Sequence, residues 1–222
     1  MDRPQVQDAL RRARLYCVTL PQKSFADYEA VVRDACRGGA DIVQLRDKTL
    51  SGRDLLSLSR RLKEICRAHG ALFIVNDRLD VALASGADGV HLGQDDLPVP
   101  EARRIAQKYF DGDAGHFLIG CSTHSLEQAR KAQDEGADYL GCGPVFATPT
   151  KPSYGAVGLD LVRSYRAEIQ TPFVAIGGIN EENIQQVFDA GARCAAVVRA
   201  AFGRSDSVEA AVRSLKTRIG QY

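Results

Sequence analysis

Eight short apolar runs punctuate the chain: Leu15–Leu20, Ile42–Leu45, Leu72–Val75, Gly89–Leu92, Phe117–Gly120, Tyr139–Gly143, Phe173–Ile176 and Ala195–Val198. Each is continuously apolar or small rather than alternating. That pattern marks parallel strands covered on both faces. Helical spacing fills the gaps between them. Phe25–Arg37 carries apolar residues at helical intervals, and Arg53–His69 does so through Leu55, Leu56, Leu58, Leu62 and Ile65. Ser125 opens a helix over Leu126–Glu135, with Gln128 placed to close a capping box. Asn180 before Glu181 and Glu182 reads as a further helix start. Ser205 or Ser207 opens a last helix to about Ile219. Met1–Arg12 is expected to form an extra N-terminal helix over the barrel bottom. Strict strand–helix alternation through eight strands predicts a single (β/α)8 TIM barrel of the α/β class, spanning 1–222 with residues 1–13 as an N-terminal helical extension. A doubly wound open sheet is the alternative fold, disfavoured because no Gly-x-Gly-x-x-Gly turn follows the first run.

An internal repeat supports the barrel. Gly-Ala-Asp precedes an apolar run at Gly39-Ala40-Asp41, Gly86-Ala87-Asp88 and Gly136-Ala137-Asp138, and a fourth copy has drifted to Gly191-Ala192-Arg193. The spacings of 47, 50 and 55 residues correspond to two strand–helix units each, at about 25–30 residues per unit. A glycine ends a helix in the left-handed conformation, and the buried strand starts at once.

Composition narrows the function. Across 222 residues the net charge is +1, so no global field draws nucleic acid or a membrane, and anions must be met by a local cluster. No apolar stretch approaches the ~20 residues of a membrane span, and no signal peptide is visible, so a cytoplasmic protein is expected. The six cysteines form no Cys-x-x-Cys pair and lie in apolar or helical segments, which reads as buried, inert thiols.

In such barrels chemistry collects at the C-terminal strand ends. The second run ends in Gln44-Leu45-Arg46-Asp47-Lys48. Alternation sends Gln44, Arg46 and Lys48 to one side and Leu45 and Asp47 to the other. An amide and two cations on one side suit a polyanion. The third run ends in Asn76-Asp77 and the fourth in Gly93-Gln94-Asp95-Asp96. Asp77 and Asp96 either cap helices or converge on a magnesium ion that substrate phosphates complete. Ser122 follows the fifth run and is placed to bond a phosphate. His124 beside it reads equally as a packed residue or a catalyst. After the sixth run, Thr148, Thr150 and Lys151, in a loop with Pro149, read as an anion-gripping lid or as an ordinary flexible loop. Gly177-Gly178 after the seventh run and Val198-Arg199 at the eighth offer a backbone phosphate cradle. No nucleophile elbow is present. A metal with several cations exceeds what a monophosphate needs and suits a departing pyrophosphate.

These motifs together resemble the thiamine phosphate synthase (thiamine-phosphate pyrophosphorylase) family from about Leu15 to Phe202. The most telling are Gln44–Lys48, Asn76-Asp77, Gly89–Asp96, Gly120-Cys121-Ser122, Gly143–Lys151 and Ile176–Ile179. The resemblance implies a transferase joining a hydroxymethylpyrimidine diphosphate to a thiazole phosphate, plain or carboxylated, and releasing pyrophosphate through a pyrimidine-methyl cation. It implies that Gln44, Leu45, Arg46, Asp47, Lys48, Asn76, Ser122 and Lys151 contact the pyrimidine diphosphate, with Arg46, Lys48, Ser122 and Lys151 catalytic. Asp77 and Asp96 would hold Mg2+. Thr148, Pro149, Thr150, Gly178, Val198 and Arg199 would hold the thiazole phosphate. Arg199 departs from the serine usual in the family. Partners would be small molecules, not nucleic acid or membrane, and a homo-oligomer is left open. A thiazole tautomerase and a non-catalytic thiamine-phosphate sensor are the rival readings.

Overall fold

The computed structural model describes residues 3–147, 156–203 and 207–219. Eight parallel strands close into a barrel in chain order. They are β1 (Leu15–Val18), β2 (Ile42–Leu45), β3 (Leu72–Asn76), β4 (Gly89–Leu92), β5 (Leu118–Thr123), β6 (Tyr139–Cys142), β7 (Phe173–Ile176) and β8 (Cys194–Val197). Each apolar run of the sequence is one of these strands, differing only at its ends. The helices are α1 (Arg3–Arg12), α2 (Phe25–Arg37), α3 (Gly52–Ala68), α4 (Leu79–Ser85), α5 (Val99–Tyr109), α6 (Leu126–Asp134), α7 (Gly158–Glu168), α8 (Ile184–Asp189), α9 (Arg199–Phe202) and α10 (Val208–Ile219). None of the described helices is long and apolar enough to cross a membrane.

The helix starts follow from local hydrogen bonds. Ser24, Ser51 and Ser125 accept the N–H groups of Asp27, Asp54 and Gln128, capping α2, α3 and α6. The box at α6 closes one residue early, because the Gln128 side chain takes the His124 N–H at 2.8 Å. α10 opens at Ser207, whereas Ser205 lies outside the described residues. One expected start is corrected: α8 begins at Ile184, not after Asn180. Asn183 accepts from Asn180 N–H and donates to Gly178 carbonyl, and Asn180 takes the Glu182 N–H. These bonds turn residues 180–183 into a loop before the helix can start.

Two apolar layers hold the barrel. Inside it pack Tyr16, Ile42, Leu72, Ile74, Leu118 and Val174, closed at the N-terminal end by Val6 and Leu10 of α1. Outside it, Leu45, Phe73, Val75, Ile119 and Leu140 meet the helices through Val32, Leu58, Leu62, Val162 and Leu215. Burial on both faces is why the runs do not alternate.

The Gly-Ala-Asp repeat has a structural task. Gly39, Gly86, Gly136 and Gly191 all have positive φ, at 99°, 67°, 83° and 105°. Each aspartate then reaches back to the start of the preceding strand. Asp41 Oδ2 accepts from Arg14 and Leu15 N–H at 2.8 and 2.9 Å. Asp88 Oδ2 accepts from Phe73 N–H at 2.8 Å, and Asp138 Oδ2 from Ile119 N–H at 2.7 Å. Lys216 pairs with Asp41 and Arg103 with Asp138. Burial raises the Asp88 carboxyl above the usual range, against the pull of the Phe73 N–H.

All six cysteines are free and buried. Burial pushes the thiols of Cys121 and Cys142 up to about 11 and about 12. In the native protein at pH 8, iodoacetamide is expected to leave these two unmodified while denaturant exposes them; rapid native labelling of either, read by mass spectrometry, would contradict that burial. Asp88→Ala removes the acceptor of a buried backbone donor and should cost ~1–3 kcal/mol in urea unfolding. A loss below ~0.5 kcal/mol, the scale of an ordinary surface change, would show that the clamp does not hold β3.

Candidate active site

The C-terminal strand ends surround a cavity of about 590 Å³. The inward residues of β2 climb from Ile42 through Gln44 to Arg46, and those of β3 from Leu72 through Ile74 to Asn76. Parity along the strand therefore decides which side chains reach the cavity. Around the cavity stand Gln44, Arg46, Lys48, Asn76, Asp77, Asp96, Ser122, Gly178, Val198 and Arg199. Two residues of the second strand end stay outside. Leu45 is buried between barrel and helices. Asp47 accepts hydrogen bonds from the Tyr28 hydroxyl and the Thr49 and Leu50 N–H groups. Thr148, Pro149, Thr150 and Lys151 lie outside the described residues.

Buried Thr19 fixes the strand-two end. Its hydroxyl oxygen accepts from Arg46 N–H at 3.0 Å, and its own N–H donates to Gln44 carbonyl at 2.9 Å. The Arg46 guanidinium makes no ion pair with a described residue. Asp77 sits at φ 62°, a region sparsely used outside glycine. It does not cap α4, whose N-terminal flank is Arg78, nor does Asp96 cap α5, which follows Pro98. Both carboxylates turn to the cavity instead. Lys48 Nζ lies 3.1 Å from Asp77 Oδ2. Gly93 N–H donates to Asp96 Oδ2 at 2.6 Å. Burial above all, and then the neighbouring Asp77 carboxylate, raise the Asp96 carboxyl, while Gly93 and Lys48 pull it down. Two crowded carboxylates fit one hard cation, and their all-oxygen donor set suits magnesium. The pair is incomplete by itself, since no group of three His, Cys, Asp or Glu gathers among the described residues. Phosphate and water oxygens would have to complete the shell.

A chain of polar side chains crosses the barrel interior below these charges. Gln44 Nε2 donates to the Tyr16 hydroxyl at 2.8 Å, and that hydroxyl meets Tyr139 at 3.0 Å. The Tyr139 hydroxyl meets His91 Nδ1 at 3.2 Å, and His91 Nε2 meets Ser122 Oγ at 2.9 Å. Burial pushes both phenols far above their ordinary range, so they act as neutral hydrogen-bonding groups. Gly120 makes room for the Tyr139 ring: a Cβ there would stand 2.2 Å from Tyr139 Cζ.

On the far side, Val145 N–H donates to Ile176 carbonyl and Phe146 N–H to Gly177 carbonyl, at 2.8 and 3.0 Å. These bonds tie the β6 and β7 ends together. Gly178 has φ 65°, and a Cβ on it would meet Phe146 Cβ at 2.7 Å and Ala147 carbonyl at 2.8 Å. His124 Nδ1 bonds the Gly143 carbonyl, which joins the β5 and β6 ends. Val198 and the exposed Arg199 complete this rim.

Residues 15–201 match the family model described as thiamine monophosphate synthase. A thiamine-phosphate synthase of Methanoculleus marisnigri is 52% identical over 85% of this chain and 86% of that relative. The thiamine-phosphate synthase of Gloeobacter violaceus is 48% identical over 89% of this chain, which spans 55% of that relative's length. Among solved structures, thiamine phosphate pyrophosphorylase from Pyrococcus furiosus superposes with a TM-score of 0.85 at 36% identity. That superposition covers 96% of this chain and 98% of the other. The chain belongs to the thiamine monophosphate synthase family.

Sequence reasoning placed the charged rim of this thiamine monophosphate synthase fold but passed over Tyr16, Thr19, His91 and Tyr139. A signal for His91 was present: it lies two residues before Gly93, on the inward parity of β4. The tyrosines lie at or next to the start of apolar runs, where nothing in the sequence separates a packed ring from a hydrogen-bonded one. Gly120→Ala should push the Tyr139 ring and cost ~1–3 kcal/mol, as overpacking of a core does. Unchanged stability with unchanged tyrosine near-ultraviolet dichroism would mean that the ring is not confined there.

Proposed function

We propose that this cavity carries out thiamine-phosphate synthesis, a transferase reaction, from a hydroxymethylpyrimidine diphosphate and a thiazole phosphate, plain or carboxylated. The observation that carries the reading is one cavity with two unlike rims. One rim holds Arg46 and Lys48 beside the Asp77–Asp96 carboxylate pair, and the other holds Gly178, Val198 and Arg199. The first suits a leaving diphosphate, the second a monophosphate.

The pyrimidine-methyl carbon loses its bond to the diphosphate oxygen, and the electron pair leaves with pyrophosphate. The thiazole nitrogen then donates its lone pair to the methyl cation, forming the C–N bond; where the thiazole is the carboxylated form, its carboxylate leaves as CO2 and the ring carbon takes a proton from solvent. Arg46, Lys48 and Lys151 hold the diphosphate and stabilise the charge that gathers on it; each ~1.4 kcal/mol of such stabilisation is a factor of ten in rate. Ser122, oriented by His91, and Gln44, oriented by Tyr16, position the pyrimidine together with Asn76. Thr148, Pro149, Thr150, Gly178, Val198 and Arg199 hold the thiazole phosphate. With Asp77 and Asp96 as protein ligands, bound magnesium would add charge neutralisation at the leaving group. No protein nucleophile or base is required, in keeping with a rim made of charge stabilisers.

We take residues 1–222 as one barrel domain with 1–13 as its extension, acting on small molecules in the cytoplasm. Six unpaired thiols suit such a reducing compartment. A coupling assay with both substrates and magnesium is expected to yield thiamine phosphate and pyrophosphate; a folded protein that yields neither would remove the reading. Asp77→Ala should largely abolish turnover with little rescue by excess magnesium, and full activity would sink the metal assignment. Arg199→Ser should alter mainly the KM for the thiazole phosphate. A change confined to the pyrimidine substrate would count against that placement.

A further inference from the structure

The repeat breaks at its fourth copy, and the break coincides with a second cavity. In three copies the aspartate accepts the N–H of the residue just before the strand partner of its own successor. Asp41 takes Leu15, Asp88 takes Phe73 and Asp138 takes Ile119. The partners that set this register are Tyr16 with Ile42, Ile74 with Gly89, and Gly120 with Tyr139. Val174 pairs with Cys194, so the fourth copy sets residue 193 against Phe173. Residue 193 is an exposed arginine, which cannot accept. Among the described residues no side chain accepts from Phe173 N–H.

Phe173 and Arg193 line a cavity of about 260 Å³ at the N-terminal end of the barrel, opposite the active site. Arg11 and Arg166 line it as well, and none of its described lining residues is acidic. None of these three arginines makes an ion pair with a described residue. Elsewhere Arg61, Arg67, Arg103, Arg104, Arg130 and Arg163 are each paired with a carboxylate. The Arg166 stem is seated: a Cβ on Gly191 would stand 2.6 Å from its Cγ, so glycine there admits it. Three arginines thus line one small concavity with no described carboxylate paired to any of them, so an anion bound there would meet no competing ion pair among the described residues. The floor is apolar, through Leu10, Ala13 and Val174.

We propose that this end of the barrel binds a small phosphate-bearing anion whose oxygen fills, in the fourth repeat, the place a carboxylate holds in the other three. Guanidinium forks match phosphate oxygens, and Phe173 N–H supplies the backbone donor. The site is distinct from the catalytic cavity, with the Tyr139 ring and Val174 as the wall that lines both.

The test follows the melting temperature of the full chain against inorganic phosphate at constant ionic strength, with chloride as the comparison. At about ten times its Kd, phosphate should raise the Tm by ~3 °C or more. The rise should persist in Arg46→Ala, which removes a main cation of the active site. It should largely disappear in the Arg11→Ala/Arg166→Ala double variant and in Arg193→Asp. Arg193→Asp restores the carboxylate of the sister repeats, so without phosphate it should fold and melt no lower than the parent. An equal rise in chloride, no rise at all, or a rise lost in Arg46→Ala but kept in Arg193→Asp overturns the proposal.

Discussion

A carboxylate that takes backbone N–H groups from the start of the neighbouring strand recurs around this barrel, and the register of the sheet rests on it. Asp41, Asp88 and Asp138 each stand where a left-handed glycine has ended a helix, one residue before the next strand. A strand of four residues has few ladder bonds with which to resist slipping. A slip of one residue would turn every inward side chain outward. An aspartate whose acceptor is matched to one particular N–H makes that slip costly, because the donor would be left buried and unpaired. The bottom of the barrel thereby carries register, and the top is released for chemistry.

The cavity at the strand ends follows from that register. Once Ile42 and Leu72 point inward at the bottom, Arg46 and Asn76 must point inward at the top. Leu45 and Asp47 must then face the helices, where Asp47 is consumed by Tyr28 and the Thr49 turn. Between the apolar floor and the charged rim, Gln44, Tyr16, Tyr139, His91 and Ser122 form a hydrogen-bonded belt. A belt of this kind satisfies polar groups that would otherwise be costly inside a barrel. It also gives the charged rim a fixed base. Glycine at 120 is part of the same construction, since only an absent side chain leaves space for the Tyr139 ring.

The amino-acid sequence by itself determined the fold and the chemical character of the site. Apolar continuity, helix caps and the Gly-Ala-Asp period are local properties, and they located all eight strands. Parity within a strand is local too, so it alone separates Gln44, Arg46 and Lys48 from Leu45 and Asp47. The adjacency of strand ends then followed from the order of a closed barrel. What only the tertiary structure decided depends on contacts between distant segments. Whether Asp77 and Asp96 cap helices or face each other depends on how β3 and β4 present their ends. The role of His124 as a tie to Gly143 depends on β5 lying beside β6. The belt joins residues 16, 44, 91, 122 and 139, which share no sequence motif. Their hydrogen bonds exist only because the barrel brings five strands to one axis, and that convergence is a property of the closed sheet rather than of any segment in it.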